Sequence, residues 1–202
     1  MNSGSESNLT KLVKLAESIA DDPALIAEMA EEIQTNNKKI LCRMIKQQFK
    51  NDLLKDLGPI SEFLHCFFTQ KKITEVNIYD SEKLGIKCFF MPKDTMFPLH
   101  DHPNQVICSG IIYGSVRYLT LNPHVNKNWY KYSKKGICKT GSVLFATKKY
   151  RNIHSIMALQ DSIMIDIFIP NYMIGDDLGL FHVKRKRGRD FLLEKFVVKV
   201  KS

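Results

Sequence analysis

The sequence lacks the cysteine arrangements that build small metal or redox modules. Its five cysteines are scattered at Cys42, Cys66, Cys88, Cys108 and Cys138, and no two of them form a CxxC pair. A zinc ribbon and a thioredoxin-type motif are therefore excluded, because both need cysteines at short fixed spacing. Scattered cysteines in odd number are also typical of a reduced compartment.

Long hydrophobic runs are missing as well. No apolar segment approaches the roughly 18–20 residues that a membrane-spanning helix needs. The first residues, MNSGSESN, are polar and show no charged-then-apolar signal pattern. We therefore expect no membrane association and a cytoplasmic protein, with the nucleus as a second compartment.

Basic residues outnumber acidic ones, and the formal net charge is +9. Much of the excess lies in Lys184–Arg189, which reads KRKRGR. The simpler interpretation is a solvated basic tail, and the alternative is a nuclear-localisation or nucleic-acid patch. Because no DNA- or RNA-binding motif accompanies the run, we expect no nucleic-acid partner.

The first 57 residues predict helices. Asp22-Pro23 combines an acidic N-cap with proline at the first helical position. Apolar residues recur at helical spacing before this pair, and after it over Ile26–Ile33 and Ile40–Phe49. We interpret the region as a helical extension packed on one side of the next domain, with a separate partner-binding module as the alternative.

From about residue 72 the pattern changes to short β-rich segments separated by turn residues. The segments are Ile73–Tyr79, Ile86–Phe90, Val106–Ile112, Ser115–Leu121, Gly141–Phe145 and Ile163–Ile169. Many short strands predict a β-sandwich or barrel, so the fold class is mainly β with N-terminal α-helices. Tyr113-Gly114 predicts a tight hairpin, and the polar segment 122–139 predicts a long surface loop.

The strongest chemical signal is PLHDHP at residues 98–103. Side chains two apart in a strand point to the same face, so His100 and His102 converge while Asp101 points away. Two converging imidazoles form half of a metal site, with surface or core histidines as the alternative. Eleven residues separate His102 from Gly114, as in the first motif of a cupin, a jelly-roll barrel or double-stranded β-helix.

The carboxylate of that cupin motif is absent. Val106 and Ile107 stand four and five residues after His102, where the motif has Glu. A third ligand must come from a later strand, and His154 in NIHSI is the best candidate, with a hydrogen-bonded core histidine as the alternative. The weaker candidates are His65, His124 and His182. Three neutral imidazoles suit iron with an anionic substrate thiolate, or zinc with an activated water.

Four segments resemble the cysteamine (2-aminoethanethiol) dioxygenases and plant cysteine oxidases. They are PLHDHP at 98–103, IIYGSVR at 111–117, NIHSI at 152–156 and MIDIFIPNY at 164–172. The resemblance covers roughly residues 85–183, and we expect a cupin thiol dioxygenase domain over 58–183. A helical extension over 1–57 would precede it, and a basic C-terminal segment over 184–202 would follow.

The resemblance implies Fe(II) held by His100, His102 and His154. It implies that a substrate thiolate and its neighbouring amine bind the iron before dioxygen, whose two atoms are transferred to sulfur to give a sulfinic acid. The implied substrates are the N-terminal cysteine of a protein or peptide, cysteamine, or both, with a link to oxygen sensing. We expect a monomer. A zinc-dependent cupin isomerase or hydrolase and a non-catalytic cupin that binds ligands or partners are the alternatives.

The resemblance also assigns two catalytic residues, Asp166 and Tyr172. Asp166 lies among Ile, Met and Phe, where a buried charge is costly, and its implied role is a hydrogen bond to the substrate amine or a water near iron. A structural carboxylate facing solvent on an edge strand is the alternative. Tyr172 is implied to border the pocket and donate a hydrogen bond, or to serve in packing. Asn171 departs from the family's proline, and Phe-His-Val at 181–183 replaces a late cysteine-containing segment.

Overall fold

The computed structural model describes residues 6–35, 39–58, 64–124, 128–172 and 177–199. The helices come first, as α1 Asn8–Ala20, α2 Pro23–Thr35, α3 Ile40–Gln48, α4 Leu53–Asp56 and α5 Leu64–Thr69. The Asp22 carboxylate accepts a hydrogen bond from Ala24 N at 2.8 Å, which caps α2 as the Asp-Pro pair predicts. Within the described ranges, each helix is too short or too polar to cross a membrane.

The strands follow the helices and form two sheets. They are β1 Thr74–Asp80, β2 Gly85–Met91, β3 Met96–His100, β4 Val106–Tyr113, β5 Ser115–Pro123, β6 Trp129–Lys139, β7 Val143–Ala146, β8 Ile153–Ala158, β9 Ser162–Ile169, β10 Asp177–Arg187 and β11 Asp190–Lys199. One sheet has the order β1-β2-β9-β4-β7, and the other strands close in the order β10-β11-β6-β5-β8-β3. The predicted cupin fold, mainly β with leading helices, is confirmed.

Apolar side chains form three cores. The barrel core lies between the two sheets and includes Ile107, Val116, Ile156, Met164 and Phe168. A second core joins the helices to the outer side of the first sheet, and its members include Leu12, Ile19, Ile45, Ile86 and Ile165. The Phe49 ring fills the space above Gly110, where an added Cβ would lie only 2.0 Å away, so this glycine lets the helices sit close to β4. A third core joins β5 and β8 to β10 and β11.

All six predicted strands are present, but the predicted surface loop over 122–139 is wrong in its described part, since residues 125–127 lie outside the described residues. β5 runs on to Pro123, and β6 then pairs with it along Trp129–Lys139. Only Cys138 is fully buried in β6. The strand therefore has no apolar alternation that sequence reasoning could detect.

The hairpin predicted at Tyr113-Gly114 is also wrong. β4 pairs with β7 and β9, whereas β5 pairs with β6 and β8. Gly114, at a φ of 82°, carries the chain from one sheet to the other. A Cβ there would lie 2.4 Å from the Asp161 carbonyl oxygen, so the close crossing requires glycine.

The predicted basic tail is a β-hairpin up to Lys199, and residues 200–202 lie outside the described part of the chain. β10 runs through the predicted boundary between 183 and 184, and it pairs with β11 from Asp177↔Lys199 to Arg187↔Asp190. The hairpin also closes the second sheet, since Leu180 pairs with His100. On β10 the residues His182–Arg187 are all exposed, and this explains why that strand carries little apolar signal, whereas Phe191 and Leu193 on β11 are buried in the third core.

Candidate metal centre

Two paired strands bring the three predicted histidines together. β3 ends at His100, and His154 on β8 lies directly opposite it in the antiparallel register. His102 follows β3, and its N–H donates a hydrogen bond to Asn152 Oδ1 at 2.9 Å. The fold, rather than sequence proximity, therefore completes the cluster.

The three imidazoles face one another at short range. Ring centroids lie 4.8 Å apart for His100 and His102, 4.4 Å for His100 and His154, and 4.9 Å for His102 and His154. The Nε2 atoms of His102 and His154 are 3.3 Å apart, and one ligand nitrogen from each histidine lies within 4.8 Å of the others. Nitrogens that share an ion at about 2.0–2.1 Å lie roughly 3 Å apart, so small side-chain rotations suffice to hold a metal.

Hydrogen bonds fix which nitrogen of two rings faces the centre. The His100 Nδ1–H donates to the Pro98 carbonyl at 2.8 Å. His102 Nδ1 is hydrogen-bonded to the Tyr172 hydroxyl. Protonation at Nδ1 leaves the Nε2 lone pairs free, and partners of this kind set the tautomer and orientation of metal-binding histidines.

Burial lowers the pKa of all three imidazoles. The pKa of His154 falls to about 3, and that of His102 falls well below its usual value, where repulsion from the other two histidines adds to the effect. The pKa of His100 is lowered as well, although the Pro98 carbonyl opposes the shift. The rings are therefore neutral at neutral pH, the form that binds a metal. Such nitrogen donors fit Fe(II) or zinc.

Asp101 points away from the histidines, as the HxH spacing predicts. Its Oδ1 accepts a hydrogen bond from Gly179 N at 2.9 Å, and its Oδ2 accepts one from Lys195 Nζ at 2.8 Å. These contacts tie the segment between His100 and His102 to β10 and β11. Within the described part of the chain, the candidate cluster consists of histidines alone, without a carboxylate.

Asp166 lies inside the barrel, on a strand between β2 and β4. It is 6% exposed, so it does not face solvent at a sheet edge. Its register neighbours are Lys87 on one side and Ser109 on the other. Among the described residues, the buried Asp166 Oδ1 has no hydrogen-bond partner. Burial raises the pKa of Asp166 to about 7, against an opposing hydrogen bond from Ser109 and with support from the Glu75 charge.

One cavity of about 350 Å³ joins the histidines to Asp166 and Tyr172. Its apolar walls are formed by Phe89, Phe97, Met164, Phe168, Leu178 and Leu180. Glu75 and Lys87 also line it, with Lys87 Nζ 2.6 Å from Glu75 Oε1. Sequence reasoning missed both residues. The only available signal was a lysine inside the apolar run GIKCFF, which pointed to a polar group on one face of β2.

The weaker histidine candidates lie elsewhere. His65 is on α5, His124 follows β5, and His182 is on β10, and all three are exposed. None of them joins the cluster. Asn171, the departure from the family's proline, is buried, and its Nδ2 donates to Asp80 Oδ1 and to the Ser81 carbonyl. This residue therefore ties the segment before Tyr172 to the turn after β1.

Several known proteins are similar to this chain. A probable 2-aminoethanethiol dioxygenase of Dictyostelium discoideum is 29% identical over 79 residues, which are 39% of this chain and 32% of that protein. The match thus spans about a third of the relative's length.

Among solved structures, KdgF from Halomonas sp. aligns with a TM-score of 0.41 at 19% identity, covering 50% of this chain and 82% of its own. An RmlC-like cupin from Desulfovibrio desulfuricans aligns with a TM-score of 0.40 at 16% identity, covering 51% and 87%. The sequence profile of the PCO_ADO family matches residues 51–183. Because this match covers more than half of the chain, the protein belongs to the PCO_ADO family of cysteamine dioxygenases and plant cysteine oxidases.

Proposed function

We propose that the protein is an Fe(II)-dependent thiol dioxygenase that acts on the N-terminal cysteine of proteins or peptides, on cysteamine, or on both. Family membership supports the reaction class. The observation that carries the proposal is one cavity lined by three neutral imidazoles and an unpartnered carboxylate oxygen. A thiol and dioxygen give a sulfinic acid, with both oxygen atoms on sulfur and no external reductant.

The ligand set matches a substrate that brings its own negative charge. His100, His102 and His154 contribute neutral nitrogens only, so the charge of a bound dication stays uncompensated. A thiolate supplies that charge. Iron, when bound, provides open coordination positions and the one-electron chemistry that thiols and dioxygen need to react with each other.

Asp166 is placed to hold the substrate amine. Both candidate substrates carry an ammonium two carbons from the sulfur, and a buried carboxylate oxygen without a donor offers it a partner. Arrival of the cation favours the ionised carboxylate, because an opposite charge nearby lowers a raised pKa. Asp166 would thereby orient the thiol toward the histidines.

Tyr172 and the apolar side chains of the walls orient His102 and limit the water in the same cavity. The Tyr172 hydroxyl holds His102 through Nδ1 and so fixes the ring that faces the centre. Phe89, Phe97 and Phe168 limit the water around the histidines. An environment poor in water strengthens the charge–charge contacts of the bound substrate.

The direct test loads the protein with Fe(II) without oxygen, then adds a Cys-initiated peptide or cysteamine and air. We expect oxygen uptake and a product heavier by two oxygen atoms. The same peptide with serine in place of cysteine is the control and should stay unchanged. No uptake with either thiol would overturn the proposal. Zinc in protein purified without oxygen, together with hydrolase or isomerase activity, would favour a zinc cupin.

We further propose a link to oxygen supply if protein N-termini are the substrates. Oxidation then consumes dioxygen at the N-terminus of the target, so the chemical state of that terminus reports the oxygen level. Competition between the peptide and cysteamine in one reaction ranks the two substrates. Exclusive turnover of cysteamine would remove the link.

A further inference from the structure

A strongly cationic surface lies outside the proposed active site. Residues 102–160 contain no Asp or Glu. The Lys and Arg residues of this stretch are Arg117, Lys127, Lys131, Lys134, Lys135, Lys139, Lys148, Lys149 and Arg151. Along α3 and its flanks, Lys39, Arg43, Lys46 and Lys50 recur at helical spacing on one face. Like charges three or four apart destabilise a helix slightly, so a polyanion that binds this face would also stabilise α3.

These two sets of cations meet in a cleft of about 650 Å³ between α3 and the barrel, here called the cationic cleft. Its charged lining residues are Lys39, Arg43, Lys46, Lys50, Lys134 and Arg151. Among the described residues, no carboxylate lines it. Within the described ranges, none of the six cations takes part in an ion pair. The described residues therefore offer these six cations no direct ion-pair partner.

Arg151 gives an independent indication of a ligand. Its Nε is buried and has no hydrogen-bond acceptor among the described residues. The guanidinium lies 4.7 Å from the centre of the Tyr150 ring, and the backbone N–H donates to Asn122 Oδ1 at 2.6 Å. Arg151 also has a φ of 54°, in the left-handed region that few non-glycine residues adopt. A fixed, buried donor without an acceptor is costly unless a ligand supplies the acceptor.

The helix N-terminus does not provide the anion site. The Glu32 carboxylate already accepts hydrogen bonds from Leu41 N at 3.1 Å and Cys42 N at 2.9 Å. The cationic cleft instead uses side chains along the helix, from Lys39 to Lys50, together with Lys134 and Arg151 from the barrel. The groups that can bind an anion are therefore side chains, and each of them can be substituted individually.

We propose that the cationic cleft binds a compact polyanion with clustered phosphate groups. Phosphate oxygens match the planar donor fork of arginine, and lysine ammonium groups add point charges around them. The concave shape between a helix and a barrel suits a small polyphosphate better than a nucleic-acid strand. A soluble polyphosphate and a phosphoinositide headgroup share this chemistry.

Calorimetry with inorganic tripolyphosphate and with inositol hexakisphosphate tests the proposal, and flotation with phosphatidylinositol 4,5-bisphosphate vesicles separates the two sources. We expect saturable binding of one ligand per chain that weakens as salt rises. Binding of the soluble probes without vesicle capture assigns a free polyphosphate, and vesicle capture that Lys134→Gln weakens assigns a headgroup. No binding of any probe would overturn the proposal.

Two neighbouring lysines on β6 provide a matched pair of variants. Lys134 lines the cationic cleft, whereas Lys135 lines a different groove on the outer side of the sheet. Lys134→Gln should weaken binding about tenfold, as expected for loss of a charge-assisted contact. Lys135→Gln should change it by less than about twofold, as expected for a distant exposed charge. Equal losses in both variants would show a diffuse basic surface and contradict the proposal.

A further variant, at Arg151, is checked for correct folding before its affinity is compared. Arg151→Lys keeps the charge but removes the planar donor fork, and circular dichroism reports whether the fold is retained. A folded Arg151→Lys protein should bind tripolyphosphate more weakly than the wild type. Unchanged affinity in that folded variant would remove the role assigned to Arg151. None of these readouts depends on dioxygenase activity.

Discussion

The candidate metal centre and the cationic cleft are neighbours in the chain but handle charge in opposite ways. Arg151 lines the cleft, and His154, three residues later, lines the metal centre. At the metal centre, burial makes the imidazoles neutral, and hydrogen bonds orient His100 and His102. In the cleft, lysine and arginine side chains lie together, and the lining residues that the structure describes include no carboxylate.

The difference lies in the chemistry of the side chains. A buried histidine can release its proton, so the metal centre needs no counter-ion until a metal arrives. Arginine cannot release its proton in a protein, and exposed lysines keep theirs at neutral pH. The first region is therefore neutral through its own residues, whereas the second stays positively charged, and we propose that a bound polyanion neutralises it.

Loss of a histidine ligand should produce the largest effect on the metal centre. His154→Ala removes one of three nitrogens, and we expect the iron content after anaerobic loading to fall to the background level. His182→Ala, at an exposed histidine on β10, is the matched control and should load like the wild type. Full iron content in His154→Ala would show that this histidine is not a ligand.

Removing the Asp166 charge should separate iron binding from turnover. Asp166→Asn keeps the size of the side chain, so we expect normal iron content and a rate about 100-fold lower, as for a misplaced substrate. Oxygen uptake at saturating substrate measures the rate. Loss of iron in this variant would instead make Asp166 part of the ligand set.

The same carboxylate should make the stability of the metal-free protein depend on pH. The folded pKa of about 7 exceeds the ordinary 3.8, so the unfolded state releases this proton at lower pH. The Asp166 contribution therefore destabilises the fold increasingly as pH rises from the unfolded value to the folded one, and then levels off. Asp166→Asn removes this cost. The free energy of unfolding of the variant, relative to that of the wild type, should therefore increase by about 2–3 kcal/mol between pH 5 and pH 8. Urea unfolding of both proteins at both pH values measures this difference. A difference that does not change with pH would contradict the raised pKa of Asp166.

The Tyr172 hydroxyl should have a smaller effect because it acts through His102. In Tyr172→Phe the ring stays but the hydrogen bond to Nδ1 is lost. Such supporting contacts are worth about tenfold or more in metal affinity or activity. Iron affinity measured by competition with a chelator should fall, while Tyr113→Phe, at an exposed tyrosine, should leave it unchanged. If the two variants bind iron with equal affinity, Tyr172 serves only in packing.

Sequence periodicity predicted the parts of the fold whose side chains are buried on a regular face. β2, β4 and β9 are almost entirely buried, and their apolar runs are visible directly. Five of the eleven β6 residues and all of His182–Arg187 on β10 are exposed, so backbone pairing rather than apolar burial defines these segments. Tyr113-Gly114 predicts a turn, but the passage of the chain from one sheet to the other at Gly114 depends on long-range strand pairing.

The candidate site shows the same division. His100 and His102 converge because two residues separate them in one extended segment, and this is visible in the sequence. Lys87 and Ser109 are placed opposite Asp166 only by sheet register. The cationic cleft joins α3 to residues that lie more than 80 positions later, so no local pattern could predict it.

X-ray absorption at the iron edge, recorded without oxygen before and after addition of a Cys-initiated peptide, tests the central claim most directly. A three-histidine centre predicts a shell of imidazole nitrogens in the loaded protein and a new sulfur neighbour once the thiol is added. Loss of the imidazole signal in His154→Ala should accompany loss of iron. A shell without imidazole, or a spectrum that the thiol leaves unchanged, would contradict a three-histidine centre that binds a substrate thiolate.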